Sequence, residues 1–185
     1  MPEAYPTFLA GQRITASLLS SGQPLVARKT ADTQRAATTT PAADPHLAFT
    51  LTVGAVYTLD GWLKYDGPTA ADLLLDWTVP SGTEGEWFGW GVGHSPVISF
   101  NTTPAIVSDS VQSRGYPLRV ESNDVAAAKS FGCLGVGTAL TMDLKATIRV
   151  GSVGGTYSLD WSQQTSDASN VTLFTDSWLR LQRIA

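Results

Sequence analysis

The sequence predicts an all-β chain folded as an antiparallel β-sandwich, and three observations carry that reading. From Leu47 onward apolar and polar residues alternate, as in Leu47, Phe49, Leu51 and Val53 against Ala48, Thr50 and Thr52, the period of a half-buried strand. The alternating stretches are short and closed by turn residues, at Asp66-Gly67-Pro68, Pro80-Ser81-Gly82, Asn101 to Pro104 and Gly151 to Gly155. No long stretch shows helical periodicity. At 185 residues the chain fits one domain with a short appendage.

The N-terminal part reads differently. "FLAGQRITASLLSSGQP" offers Thr15 as an N-cap, the run Ala16-Ser17-Leu18-Leu19, and Gly22 and Pro24 as stop signals. One or two helical turns are too short to stand alone, so this helix is expected to dock on something. "RKTADTQRAATTTPAADP" carries little apolar content and reads as an extended arm. Residues 1–43 hold Arg13, Arg28, Lys29 and Arg35 against Glu3 and Asp32, a net +2 that leaves −6 for the remainder of a chain of net charge −4. The expected division is an anchoring helix and arm over 1–45 and a sandwich over 46–185. Ile14, Leu18, Leu19, Arg28, Lys29 and Arg35 are the candidate anchoring residues.

The strands follow in order: "LAFTLTV", "AVYTLDGWLKYDG", "ADLLLDWTVP", "PVISF", "PLRVES", "AAAKSFGCLGVG", "TALTMDLKATIRV", "GTYSLDWSQQTS", "NVTLF" and "DSWLRLQRI". "DLLLDWTVP" has a helical composition, but Pro80 and its β-branched ending favour a strand. This number of short strands suits a jelly roll better than an immunoglobulin sandwich.

Composition excludes several functions. Charged residues are only 15% of the chain and the net charge is acidic, so nothing marks a nucleic-acid footprint. The low charge requires a surface of Thr, Ser, Gly and Asn, or burial in an assembly. Cys133 is the lone cysteine; in "FGCLGV" it reads as a small core residue, with no disulfide or thiolate metal cluster to form. No apolar run approaches the roughly 20 residues of a membrane span. The N-terminus lacks the pattern of a signal peptide, so synthesis in the cytoplasm is the expectation.

"EGEWFGWGVGHSP", Glu84 to Pro96, concentrates the residues with chemical potential. Glu84 and Glu86 follow a turn and read as solvated turn carboxylates; as catalytic residues they would need a partner such as Asp76 across a cleft. His94 and Ser95 are adjacent, so in a strand they face apart and form no nucleophile–base pair. With His46 as the other histidine, no ligand-spaced metal motif exists. The expectation is no catalytic residue, no metal and no cofactor. The sharper signal is an alternation, with Phe88, Trp90 and Val92 on one face and Gly89, Gly91 and Gly93 on the other. A strand that bares three glycines loses entropy and cross-strand pairs. Something must approach that face closely: an aromatic side chain, another backbone, or a neighbouring subunit. Trp87, Trp90, Gly89, Gly91 and Gly93 are therefore candidates for a subunit-packing surface or a glycan platform, beside core packing for the tryptophans.

A family resemblance joins these readings. "FLAGQRITASLLSS" resembles the AG-x-x-(Leu/Ile)-Thr-Ala-Ser opening of small structural proteins of tailed bacteriophages. "RKTADTQRAATTTPAADPHLAFTLTVGAVYTLDGWLKYDG" and "GTYSLDWSQQTSDASNVTLFTDSWLRLQRIA" look like virion proteins of actinobacterial phages. The final "DSWLRLQRIA" is similar to the closing strand of tumour-necrosis-factor-like jelly rolls in fibre and decoration proteins. The resemblance implies a non-enzymatic virion protein of tail, fibre or capsid-decoration type. Its expected partners are copies of itself in a homotrimer, other virion proteins and host-surface glycan, with no nucleic acid and no membrane insertion.

Overall fold

The computed structural model describes residues 9–16, 19, 22–92 and 125–185. Among these residues are eleven β-strands, and Ala16 and Leu19 before the first strand are helical. In chain order they are β1 (Leu25–Arg28), β2 (Thr33–Arg35), β3 (Ala42–Leu51), β4 (Val56–Gly67), β5 (Leu73–Thr78), β6 (Glu84–Trp90), β7 (Lys129–Phe131), β8 (Gly135–Arg149), β9 (Gly155–Gln163), β10 (Val171–Leu173) and β11 (Trp178–Arg183).

Two antiparallel sheets pack face to face. The smaller runs β3-β9-β5-β7. In the larger, β4 pairs with β8 along one edge, and β8 carries β6 beyond it. Along its other edge β4 pairs with β11 and then β10, and these in turn carry β1 and β2. Five pairings are nested, like a long hairpin rolled over itself. The first strands, β1 and β2, meet the last, β11 and β10; β3 meets β9; β4 meets β8; and β5 meets β7. Strand β6 lies outside this nest, on the free edge of β8.

Alternation decides which residues enter the space between the sheets. Strand β4 turns Tyr57, Leu59, Leu63 and Tyr65 inward, and β8 turns Met142, Leu144 and Ile148 to meet them. The smaller sheet answers with Phe49, Leu73, Leu75, Trp77, Tyr157, Leu159 and Trp161, all buried. Trp77 stacks on Tyr157 with centroids 4.9 Å apart and meets Trp87 of the opposite sheet edge-on at 5.7 Å. Such aromatic pairs add about 0.5–1.5 kcal/mol beyond the area they bury. The strand reading of "DLLLDWTVP" is the one observed, as β5.

The segment expected to be an arm enters the sandwich at Leu25. Strands β1 and β2 hydrogen-bond to β11 and β10, and β3 begins at Ala42. The physical reason is an ion pair rather than an apolar stripe. Lys29 sits between β1 and β2 with its side chain fully buried, its Nζ 2.6 Å from Asp44 Oδ2 on the facing sheet. Nζ also donates to Thr33 Oγ1 at 2.8 Å. Asp44 Oδ2 accepts from Trp161 Nε1 at 3.1 Å, and Asp44 Oδ1 from the backbone of His46 at 2.9 Å. A buried charge is tolerated only when it is paired and hydrogen-bonded in this way. Arg35 lies 4.2 Å over the Trp161 ring and donates to the carbonyls of Ala42 and Ala43 at 2.6 and 2.9 Å. Burial lowers its pKa, and the charges of Asp44 and Asp160 oppose that shift.

Before Leu25 the expected helix is represented by one hydrogen bond of helical spacing, Leu19 N to Thr15 O at 3.1 Å. Leu18 lies outside the described residues, as do the sequence-predicted strands "PVISF" and "PLRVES". None of the helices among the described residues is long and apolar enough to cross a membrane.

Candidate functional site

In strand β6 the glycine face is the inward one. Trp87, Gly89 and Gly91 face inward, while Phe88 is half-buried and Trp90 is 56% exposed. The glycines are required by what lies over them. A Cβ on Gly89 would stand 2.4 Å from Phe131 Cζ, and one on Gly91 would stand 3.0 Å from Met142 Cβ. An aromatic ring of the same chain therefore covers the bare face, with Met142 beside it, and no neighbouring subunit is needed at Gly89 or Gly91. Gly93 lies outside the described residues, together with His94 and Ser95. Trp87 is 2% exposed and donates from Nε1 to Ala127 O at 3.0 Å, so its indole is a core element rather than a glycan platform. Trp90 remains open.

The carboxylates of the same strand do not form a catalytic pair. Glu84 and Glu86 begin β6 rather than sitting in the turn before it. Glu86 accepts two hydrogen bonds from Arg149, at 2.7 and 3.2 Å. That fork holds the Glu86 carboxyl below its ordinary range, against a small opposing effect of burial. Asp76, the expected partner, lies on the outward side of β5 in the other sheet, where it faces Asp160. Glu86 and Asp76 therefore occupy opposite outer faces of the sandwich and share no cleft. Cys133 is buried, and burial followed by the charges of Asp72 and Asp66 pushes its thiol up to about 12. It is a neutral core residue at ordinary pH.

The outer face of the larger sheet brings together residues that the sequence scatters. The register places Trp90, Asp143, Trp62, Trp178 and Arg28 side by side across β6, β8, β4, β11 and β1. The adjacent row holds Phe88, Lys145, Asp60, Arg180 and Val26. All ten alternate with inward-facing neighbours, so all ten project from the same side. In the second row Asp60 is shared by Lys145 and by Arg180, the latter at 2.9 Å. The hydrogen bond from Arg180, then that from Lys145, holds the Asp60 carboxyl below its usual range. Trp62 and Trp178 are half-buried, each flanked by side chains of the neighbouring strands. Of the six tryptophans, Trp77, Trp87 and Trp161 are buried and Trp62, Trp90 and Trp178 line this face.

The anchoring candidates separate in space. Lys29 and Arg35 are built into the sandwich. Arg28 is exposed at the end of the tryptophan row and pairs with Asp176. Ile14 and Leu19 are 59% and 54% exposed and lie before the first strand, with Leu9 at 69%. Sequence reasoning missed Trp178, Asp143, Lys145, Asp60 and Arg180 as members of one surface. Their only local signal is that Asp60-x-Trp62-x-Lys64, Asp143-x-Lys145 and Trp178-x-Arg180 put tryptophan and charge on the outward side of each strand.

No family model and no curated protein matches the chain. A solved structure titled "Structure of infectious bursal disease virus Gt strain" aligns over 88% of this chain and 41% of its own, at 10% identity and a TM-score of 0.20. The chain thus spans less than half the length of that chain.

Proposed function

We propose that the chain is a non-enzymatic structural protein of a virus particle, a minor tail or fibre-like component of a tailed phage. The segment before Leu25 attaches it, and the sandwich is the displayed head. The observation that carries this reading is the contrast at Leu25. Beyond it most large apolar residues fill one core, with Val26, Val136 and Trp90 as outer-surface exceptions, while Leu9, Ile14 and Leu19, all before it, are each more than half exposed. Large apolar side chains held in water before the first strand are the features of a docking segment. The nested strand pairing supports a jelly-roll winding, with β6 as an added edge strand. Such heads assemble around symmetry axes, and a homotrimer is the oligomer proposed here. A place on the capsid as a decoration or head-fibre protein uses the same fold and attachment.

The test compares the intact chain with one beginning at Gly22, which keeps every strand. Both are expected to melt alike, and light scattering is expected to give the mass of three chains for the intact protein. Only the intact chain is expected in particles purified from a producing lysate. Equal recovery of both proteins in particles overturns attachment by this segment. A chain absent from particles in both forms overturns the virion assignment.

A further inference from the structure

We infer that the outer face of the larger sheet is a binding site for a neutral oligosaccharide, laid across the strands along the row Trp90, Asp143, Trp62, Trp178. This goes beyond the attachment role, since the face lies on the sandwich and not on the segment before it. Its geometry does not depend on the virion assignment.

The row is built by register, not by loops. Adjacent strands lie about 4.8 Å apart, so Trp90 and Trp178, three strands apart, are separated by roughly 14 Å. That is a flat aromatic track several sugar rings long. The weakly polar C–H face of a pyranose stacks on an indole, and the hydroxyls at its rim need donors and acceptors close by. Both are present. Asp143 lies between Trp90 and Trp62 in register, and among the described residues its carboxylate has no ion-pair partner. Lys145 and Arg180 stand one row away, held by Asp60.

The charge pattern selects the occupant. Asp143, Asp60, Lys145 and Arg180 sum to zero; Lys145 and Arg180 share Asp60, and Arg28 at the end of the row is held by Asp176. A polyanion would find no free cation in these two rows and would meet the unpaired Asp143. A protein partner is disfavoured at Asp143 itself. Covering Asp143 with protein would desolvate a carboxylate that has no counter-charge. A sugar hydroxyl donates to it and leaves it half-solvated.

Affinity electrophoresis of the full chain tests this, through gels containing a β-glucan, an α-glucan, a mannan or a galactan, with heparin as the anionic arm. At least one neutral polysaccharide is expected to retard the protein. Trp62→Ala and Trp90→Ala are each expected to weaken that binding about tenfold or more. The isosteric Asp143→Asn should weaken it by a smaller factor. Thr78→Ala, on the outer edge of the other sheet, should leave it unchanged. Thermal melts of all variants are run alongside, and Asp143→Asn keeps the test informative if a tryptophan variant fails to fold. Four outcomes overturn the proposal: no retardation by any neutral polysaccharide; retardation that survives all three variants; stronger, salt-sensitive retention by heparin; or loss of oligomeric mass in Trp62→Ala without sugar binding, which makes the face a protein contact.

Discussion

The Lys29–Asp44 pair and the Lys145–Asp60–Arg180 cluster use the same chemistry on opposite sides of the large sheet. Lys29 and Asp44 are wholly enclosed; Lys29 also donates to Thr33, and Asp44 also accepts from Trp161 and the His46 backbone. Lys145 and Arg180 are about half exposed and share a carboxylate that water also reaches. Enclosure makes the first pair indispensable once built, because losing one partner strands a buried charge. Exposure makes the second cheap to alter, and so available for recognition. The two clusters differ in what surrounds them rather than in what they are.

The comparison is broken most directly at Lys29. Lys29→Ala should cost about 3–5 kcal/mol in urea unfolding, because Asp44 is left unpaired. The double variant Lys29→Met with Asp44→Leu should recover most of that loss, since similar-volume apolar replacements of buried pairs are often neutral. A single variant within about 1 kcal/mol of wild type would show that Asp44 finds solvent. Next in size is Gly89→Ala. Its Cβ would collide with the Phe131 ring, and overpacking of this kind costs about 1–3 kcal/mol. Adding Phe131→Leu should relieve part of the clash, giving a non-additive cycle between the two sites. Strict additivity would mean that the glycine is not there for the ring.

The outer face should respond less, and to pH. The Glu86 and Asp60 carboxyls are held below their ordinary range by Arg149 and by Arg180 with Lys145. A depressed folded pKa adds stability that is present above the unfolded value of about 4 and is lost as pH falls through the folded value. Both side chains are reached by solvent and their Lys and Arg partners are 40–54% exposed, so screening limits each contribution to about 0.2–1 kcal/mol. Urea midpoints measured from about pH 6 down to pH 3 should therefore fall less in Glu86→Gln than in wild type. An equal fall in the two proteins removes Glu86 as a contributor. Smallest of all is Arg28→Ala. Its pair with Asp176 is 61% and 58% exposed, and the change should stay within about 0.5 kcal/mol. Arg28 and Lys29 thus stand next to each other with expected costs that differ several-fold.

The same contrast explains what could be read in advance. Strands β3, β4, β5, β9 and β11 are legible because most of their inward positions carry Leu, Tyr, Phe or Trp at every second residue. Strands β1 and β2 are not, because Lys29 occupies an inward position and looks like a surface residue until Asp44 is opposite it. Nothing in "RKTADTQRA" encodes that partner. In β6 the alternation is legible but its direction is not. Bulk at Phe88 and Trp90 argues for an inward aromatic face, whereas Phe131, forty residues on in the chain, fills the space over the glycines and turns the aromatics out. The tryptophan row is invisible for a related reason: it belongs to the register between strands, and no one strand contains it.

The nested pairing has a consequence for the order of events during synthesis. Leu25 faces Leu181, so the first strand finds its neighbour only when nearly the whole sandwich has been made. At 5–20 residues per second the ribosome takes on the order of ten seconds to cover that interval. Throughout it β1 has no edge to join, and Lys29 can meet Asp44 without the sheet that encloses them both. A chain interrupted before β11 therefore leaves β1 without its neighbour and the larger sheet incomplete. Completion of the last strand is what closes the sandwich, so the fold marks its own completion.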